Sequence, residues 1–178
     1  MLKIRDEFVV FAESHRTHPA DNSVENTTKL TLITDKSKIT QAEEKMGRKF
    51  PQPLVALWTE FGYGWVNESM TGAKGENLNE IMTPDEITPY FTDGPRKYNI
   101  DVDIKGSIPF FHVHNEFFIS ILPDGRIVYL EIDTAVLIAN DMNEFIETVA
   151  NDPEFFSNIS YSDDRNLFTY VGFFDEED

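Results

Sequence analysis

A chain of 178 residues with no cysteine and a net charge of −17 holds no disulfide, thiolate metal site or cysteine nucleophile. A field that negative repels nucleic acid and anionic lipid, and it speeds encounter with a basic partner. The length suits one domain with fifteen phenylalanines to fill its core, and no run of about 18 apolar residues exists to span a membrane.

The charge is uneven. After Arg126 the only basic residue is Arg165, against thirteen acids from Glu131 to Asp178. The opening stretch MLKIRDEFVVFAESHRTH has too short an apolar run, and acids too early, for a signal peptide, so a cytoplasmic location is the expectation. Within it Glu7 to Phe11 is a short β-branched and aromatic run, and a polar loop comes after it. Lys29 to Thr34, KLTLIT, alternates as a half-buried strand does.

Two helices come next. In DKSKITQAEEKMG, Ile39, Ala42 and Met46 share a face, Asp35 or Ser37 can cap the start, and Gly47 supplies a left-handed stop. The second helix starts near Pro53, where a missing N–H costs nothing, and Leu54, Leu57, Trp58 and Phe61 form its apolar stripe. From Gly64 to Ile104 turn formers dominate, with one short helix after Pro84.

Strands are predicted at Ile108 to Val113, Phe117 to Ile121 and Arg126 to Glu131. The last two flank LPDG, where Pro123 presets a turn and Gly125 takes a positive φ. A third helix opens at Asp141 with the capping box DMNE, and Met142, Phe145, Ile146 and Val149 share its face. The terminal LFTYVGFFDEED reads as an edge strand and a charged tail. Helices, an antiparallel meander and a closing helix make an α+β layout.

The Gly62-Tyr63-Gly64 stretch invites comparison with a phosphate loop. Phosphate needs a helix N-terminus, whereas these glycines come after a helix and face its negative pole, so they read as a C-cap. His112 and His114 alternate on a predicted strand with Glu116 on the same side, a spacing that can ligate a metal; isolated strand histidines are more commonly solvated, and no metal is assigned. His15 and His18 lie in a predicted loop. Acid pairs such as Asp101 and Asp103 or Glu43 and Glu44 arise by chance in so acidic a chain, and no serine occupies a strand–turn–helix elbow. Trp58 and Phe61 read as core, whereas Tyr63 and Trp65 lie past the helix end, and exposed Tyr and Trp anchor protein interfaces.

The stretch ITQAEEKMGRKFPQPLVALWTEFGYG resembles the N-terminal signature of the SUKH superfamily, which includes fungal cell-wall assembly regulators and bacterial toxin-immunity proteins. Ile39, Glu43, Gly47, Phe50, Pro51, Leu57, Trp58, Gly62 and Gly64 occupy its places. Downstream, Ile108, Pro109, Asp124, Gly125, Ala139 and Phe145 resemble the strand-rich middle and closing helix. The likeness runs from Asp35 to Val149 in a single domain spanning 1–178, with a strand-bearing N-terminal extension and an acidic C-terminal one. Phe-Gly-Tyr-Gly stands where the family often has Asn-Gly-Gly, and GAD-like immunity proteins have a similar Pro–helix–Gly-aromatic-Gly segment.

The resemblance implies a mostly antiparallel, curved sheet packed by helices, and a non-catalytic, cofactor-free protein that neutralises a cognate toxin domain, often a nuclease. A regulatory protein-binding module without a toxin is the alternative, and a metal-dependent enzyme using His112, His114 and Glu116 is a third reading. The interface candidates are Tyr63, Trp65, Glu68, Asp101 and Asp103, then the C-terminal acids.

Overall fold

The computed structural model describes residues 3–16, 28–67, 78–93, 106–114, 117–131 and 134–152. The elements in chain order are α1 (Asp6–Ser14), β1 (Lys29–Thr31), α2 (Ser37–Met46) and α3 (Gln52–Ala56), which continues into a wide π turn, Leu57–Phe61. Then come β2 (Tyr63–Trp65), β3 (Glu80–Ile81), α4 (Pro84–Ile87), α5 (Pro89–Thr92), β4 (Ile108–His114), β5 (Phe117–Ile121), β6 (Ile127–Glu131), β7 (Thr134–Ala139) and α6 (Met142–Asn151). The seven described strands form one open sheet in the order β1 to β7, with every neighbouring pair antiparallel. The fold is α+β, as expected.

The predicted caps operate with small changes. The Asp35 carboxylate accepts from the Ser37 N–H at 2.9 Å, and Gly47 ends α2 at φ 68°. Asp141 accepts from the N–H groups of Asn143 and Glu144. The Glu144 carboxylate accepts instead from the N–H of Asn140, one residue before the cap, so the predicted box is offset. A complete box occurs at Thr83 and Glu86, opening α4.

Glu7 to Phe11 proves to be part of helix α1. Ile4, Phe8 and Ala12 recur every fourth residue and are buried, and Asp6 and Glu7 suit the positive pole at its start. Phe11 stacks on Phe61 at 6.2 Å, and the Ile4 N–H donates to Glu60 at 3.1 Å. α1 is therefore fixed against the π turn.

The LPDG hairpin joins β5 to β6. The Gly125 N–H donates to the Leu122 carbonyl at 2.9 Å, and Gly125 sits at φ 92°. Arg126 reaches back to Asp124 at 2.8 Å and holds its carboxyl below the usual carboxylate range. Pro123 lies against Gly106, where a Cβ would meet the proline ring at 2.7 Å. β7 adds an edge strand beside β6. The terminal LFTYVGFFDEED lies outside the described residues.

Two glycine substitutions should separate conformation from contact. Gly47→Ala meets nothing within 4 Å and costs about 1 kcal/mol, through its left-handed φ alone. At Gly64 a Cβ would collide with the Lys29 carbonyl oxygen, so Gly64→Ala costs about 3 kcal/mol or more in urea unfolding. The depressed Asp124 pKa contributes stability above about pH 4 that is lost as pH falls. Wild type and Asp124→Asn should accordingly converge in melting temperature on acidification.

Candidate protein-binding surface

The segment before the glycines is anchored through Trp58, which is fully buried. Its indole N–H donates to the Met82 carbonyl at 2.8 Å, and its ring meets Phe50 edge-on at 4.8 Å. The Trp58 carbonyl accepts from the Ile33 N–H at 3.0 Å. Glu43 prepares this packing: one carboxylate oxygen accepts from the Phe50 N–H at 3.1 Å, and the other pairs with Lys49 at 2.6 Å. These are structural roles.

The glycines close the segment. The Gly62 N–H donates to the Leu57 carbonyl at 2.7 Å, five residues back, which widens the last turn. Arg16 donates to the carbonyls of Glu60 and Phe61, two of the acceptors left open at a helix end. Burial pushes the Arg16 guanidinium below its ordinary pKa. A Cβ at Gly62 would stand 2.9 Å from the Thr31 carbonyl oxygen, and Gly64 faces Lys29 more closely still. The pair therefore lets β1 lie tightly on β2.

Beyond the glycines the sheet has two unlike faces. The register sets Leu30, Gly64, Ile81, Phe111 and Ile119 side by side, and the four side chains are buried. On the alternate face Lys29, Trp65, Glu80, His112 and Phe118 stand opposite one another across five strands, all half-buried. Strand spacing makes this row about 20 Å long. Lys29 Nζ lies 5.9 Å over the Trp65 ring, and Glu80 Oε2 is 4.0 Å from His112 Nδ1. His112 stacks on Phe118 at 4.5 Å, and Phe118 meets Tyr90 of α5 edge-on at 5.5 Å. The row interleaves Lys29, Glu80 and His112 with the aromatic rings of Trp65 and Phe118.

Of the predicted interface residues, Tyr63 and Trp65 are half-buried on β2; Tyr63 packs against the core, and Trp65 lies in the row. Glu68, Asp101 and Asp103 lie outside the described residues, as do the C-terminal acids beyond Asp152. The expected histidine alternation fails. His112 pairs with Phe118 and His114 with Phe117, successive residues of β5, so a β-bulge at Val113 breaks the period of two. Glu116 is also outside the described residues. Sequence reasoning missed Lys29, Glu80 and Phe118 as parts of the row, because only the pairing register makes them neighbours.

A model of the SMI1 / KNR4 family (SUKH-1) matches residues 33–148. The chain belongs to this family. The family includes toxin-immunity proteins and is generally non-catalytic. A comparison with curated proteins gives no match. In this SUKH-1 chain the match begins after β1 and ends within α6, so α1 and β1 precede it. Both are nevertheless tied to the matched part, α1 through the π turn and β1 through β2. Among the described residues no helix is long and apolar enough to cross a membrane.

The same conservative change should affect the two tryptophans very differently. Trp58→Phe removes the buried N–H donor to Met82 and costs about 2 kcal/mol or more. Trp65→Phe keeps an aromatic ring at a half-buried site and changes stability by no more than about 0.5 kcal/mol. Chemical denaturation of both variants measures the contrast.

Proposed function

We propose that the protein is a non-catalytic immunity protein that binds and neutralises a basic toxin domain. SUKH-1 membership carries this reading, and the net charge of −17 supplies its physical logic. A toxin that acts on nucleic acid needs a basic surface to hold its substrate. An acidic protein is drawn to that surface from a distance and can cover it. No catalytic step is needed, because occupying the toxin's substrate site is enough to stop it. A cytoplasmic location fits a toxin intercepted at its target.

Two measurements test the proposal. Co-expression with the toxin domain encoded by a neighbouring gene should protect cells, and the two proteins should co-purify; lack of protection together with lack of a complex rejects the reading. In stopped-flow mixing, the association rate should fall roughly tenfold or more as salt rises from about 0.05 to 0.5 M. An on-rate indifferent to ionic strength would remove charge steering from the mechanism.

A further inference from the structure

The two edges of the described sheet are finished differently. At the β1 edge the Leu30 N–H donates to the His15 carbonyl at 3.2 Å, and Arg16 forms a parallel bridge with Leu30. At the other edge β7 pairs with β6 along one side, and among the described residues no strand lies along its other side. Alternate residues of such a strand turn their N–H and C=O groups away from the neighbour, and that row is a template for another chain.

Proteins blunt such edges with lysine, proline or an inward charge. TAVLIA, Thr134–Ala139, contains none of these. Its one irregularity is a bulge at Ile138, because Ile127 pairs with Ala139 and Val128 with Leu137. Thr134 to Leu137 keep regular register.

The surroundings specify the charge of an occupant. From Ile127 to Asp152 there are six acids and no basic residue, whereas Lys29 to Lys49 holds six basic residues and three acids. Glu131 stands opposite Thr134 at one end of β7, and Asp141 and Glu144 open α6 just past the other. Among the described residues the Asp141 and Glu144 carboxylates accept from amide N–H groups of Asn140, Asn143 and Glu144, and Arg5 is spent on Glu147 at 2.6 Å. The acidic excess is therefore local to the β7 edge.

We propose that β7 adds a strand from the basic partner, an extended segment with an uncharged β-forming centre and a cation at each end. This rests on the immunity reading and names how that partner is held. Main-chain hydrogen bonds supply affinity, and the acids at the ends of β7 select the segment's charge. β7 lies two strands, about 10 Å, from Phe118, so one partner can span the edge and the half-buried row.

The probe is a fluorescein-labelled peptide of alternating threonine and valine with lysines at both ends, titrated against the full chain at low salt by fluorescence anisotropy. Its counterpart has proline in place of the central valine, with the same charge but one N–H donor fewer. The first peptide should bind about tenfold more tightly. Equal affinities would mean attraction by charge alone and overturn the proposal. Leu137→Lys should weaken binding about fivefold, whereas Val10→Lys, the same charge change at a site 63% exposed on α1, should change it by less than about twofold. Equal effects of the two lysines also overturn it.

Amide hydrogen exchange of the wild-type chain gives a reading that needs no variant to fold. Amides of β7 should slow about tenfold or more when the peptide is added. Protection of every β7 amide in the free chain would give the edge to a second copy or to another part of the same chain, and overturn the assignment. A peptide that fails while a toxin domain is still bound and neutralised would leave the immunity reading standing, so the two fail separately.

Discussion

The arrangement depends on how Trp58 is satisfied. A buried indole needs a partner for its N–H, and Met82 supplies one at the junction of β3 and α4. The Trp58 backbone carbonyl takes the Ile33 N–H just past β1, and the ring meets Phe50 in the α2–α3 connection. One residue therefore ties three separated parts of the chain to a single helical segment. Glu43 and Gly47 shape the connection that delivers Phe50, and Arg16 answers the carbonyls at the segment's far end. The motif that resembles SUKH proteins is, in this chain, mainly a description of that anchorage.

Once the segment is fixed, the glycines determine how β1 and β2 pair. A side chain at Gly62 or Gly64 would hold β1 away from β2, and the edge of the sheet would not close. Tight pairing aligns Lys29 with Trp65, and the same register carries the row on to Glu80, His112 and Phe118. The scaffold and the half-buried face thus have one cause. The glycine pair brings two strands close enough to build a surface.

Local chemistry made much of this legible. Asp35, Gly47, the Leu54–Phe61 stripe, the LPDG turn and Asp141 each carry their signal within a few residues, and each operates as read, apart from the offset partner of Glu144. The elements that were missed depend on longer-range pairing or on a weak pattern. β2 and β3 are only three and two residues long, and β2 contains a glycine, so neither has a periodicity to read. β7, TAVLIA, is a continuous apolar run without alternation. α1 was obscured by β-branched Val9 and Val10, although Ile4, Phe8 and Ala12 held the helical spacing. A bulge invisible in sequence separated the two histidines. The candidate surface was half legible: Trp65 is expected from its place after the helix, and the residues beside it emerge only from register.

Hydroxyl-radical footprinting of the chain, alone and bound to the proposed basic partner, tests the candidate face most directly. Oxidation of Trp65 should fall several-fold in the complex, while Val10, which is 63% exposed on α1, should be oxidised as before. Trp58, fully buried, should stay unreactive in both states. A stable complex in which Trp65 is oxidised at its free rate would contradict the assignment of this face to the partner.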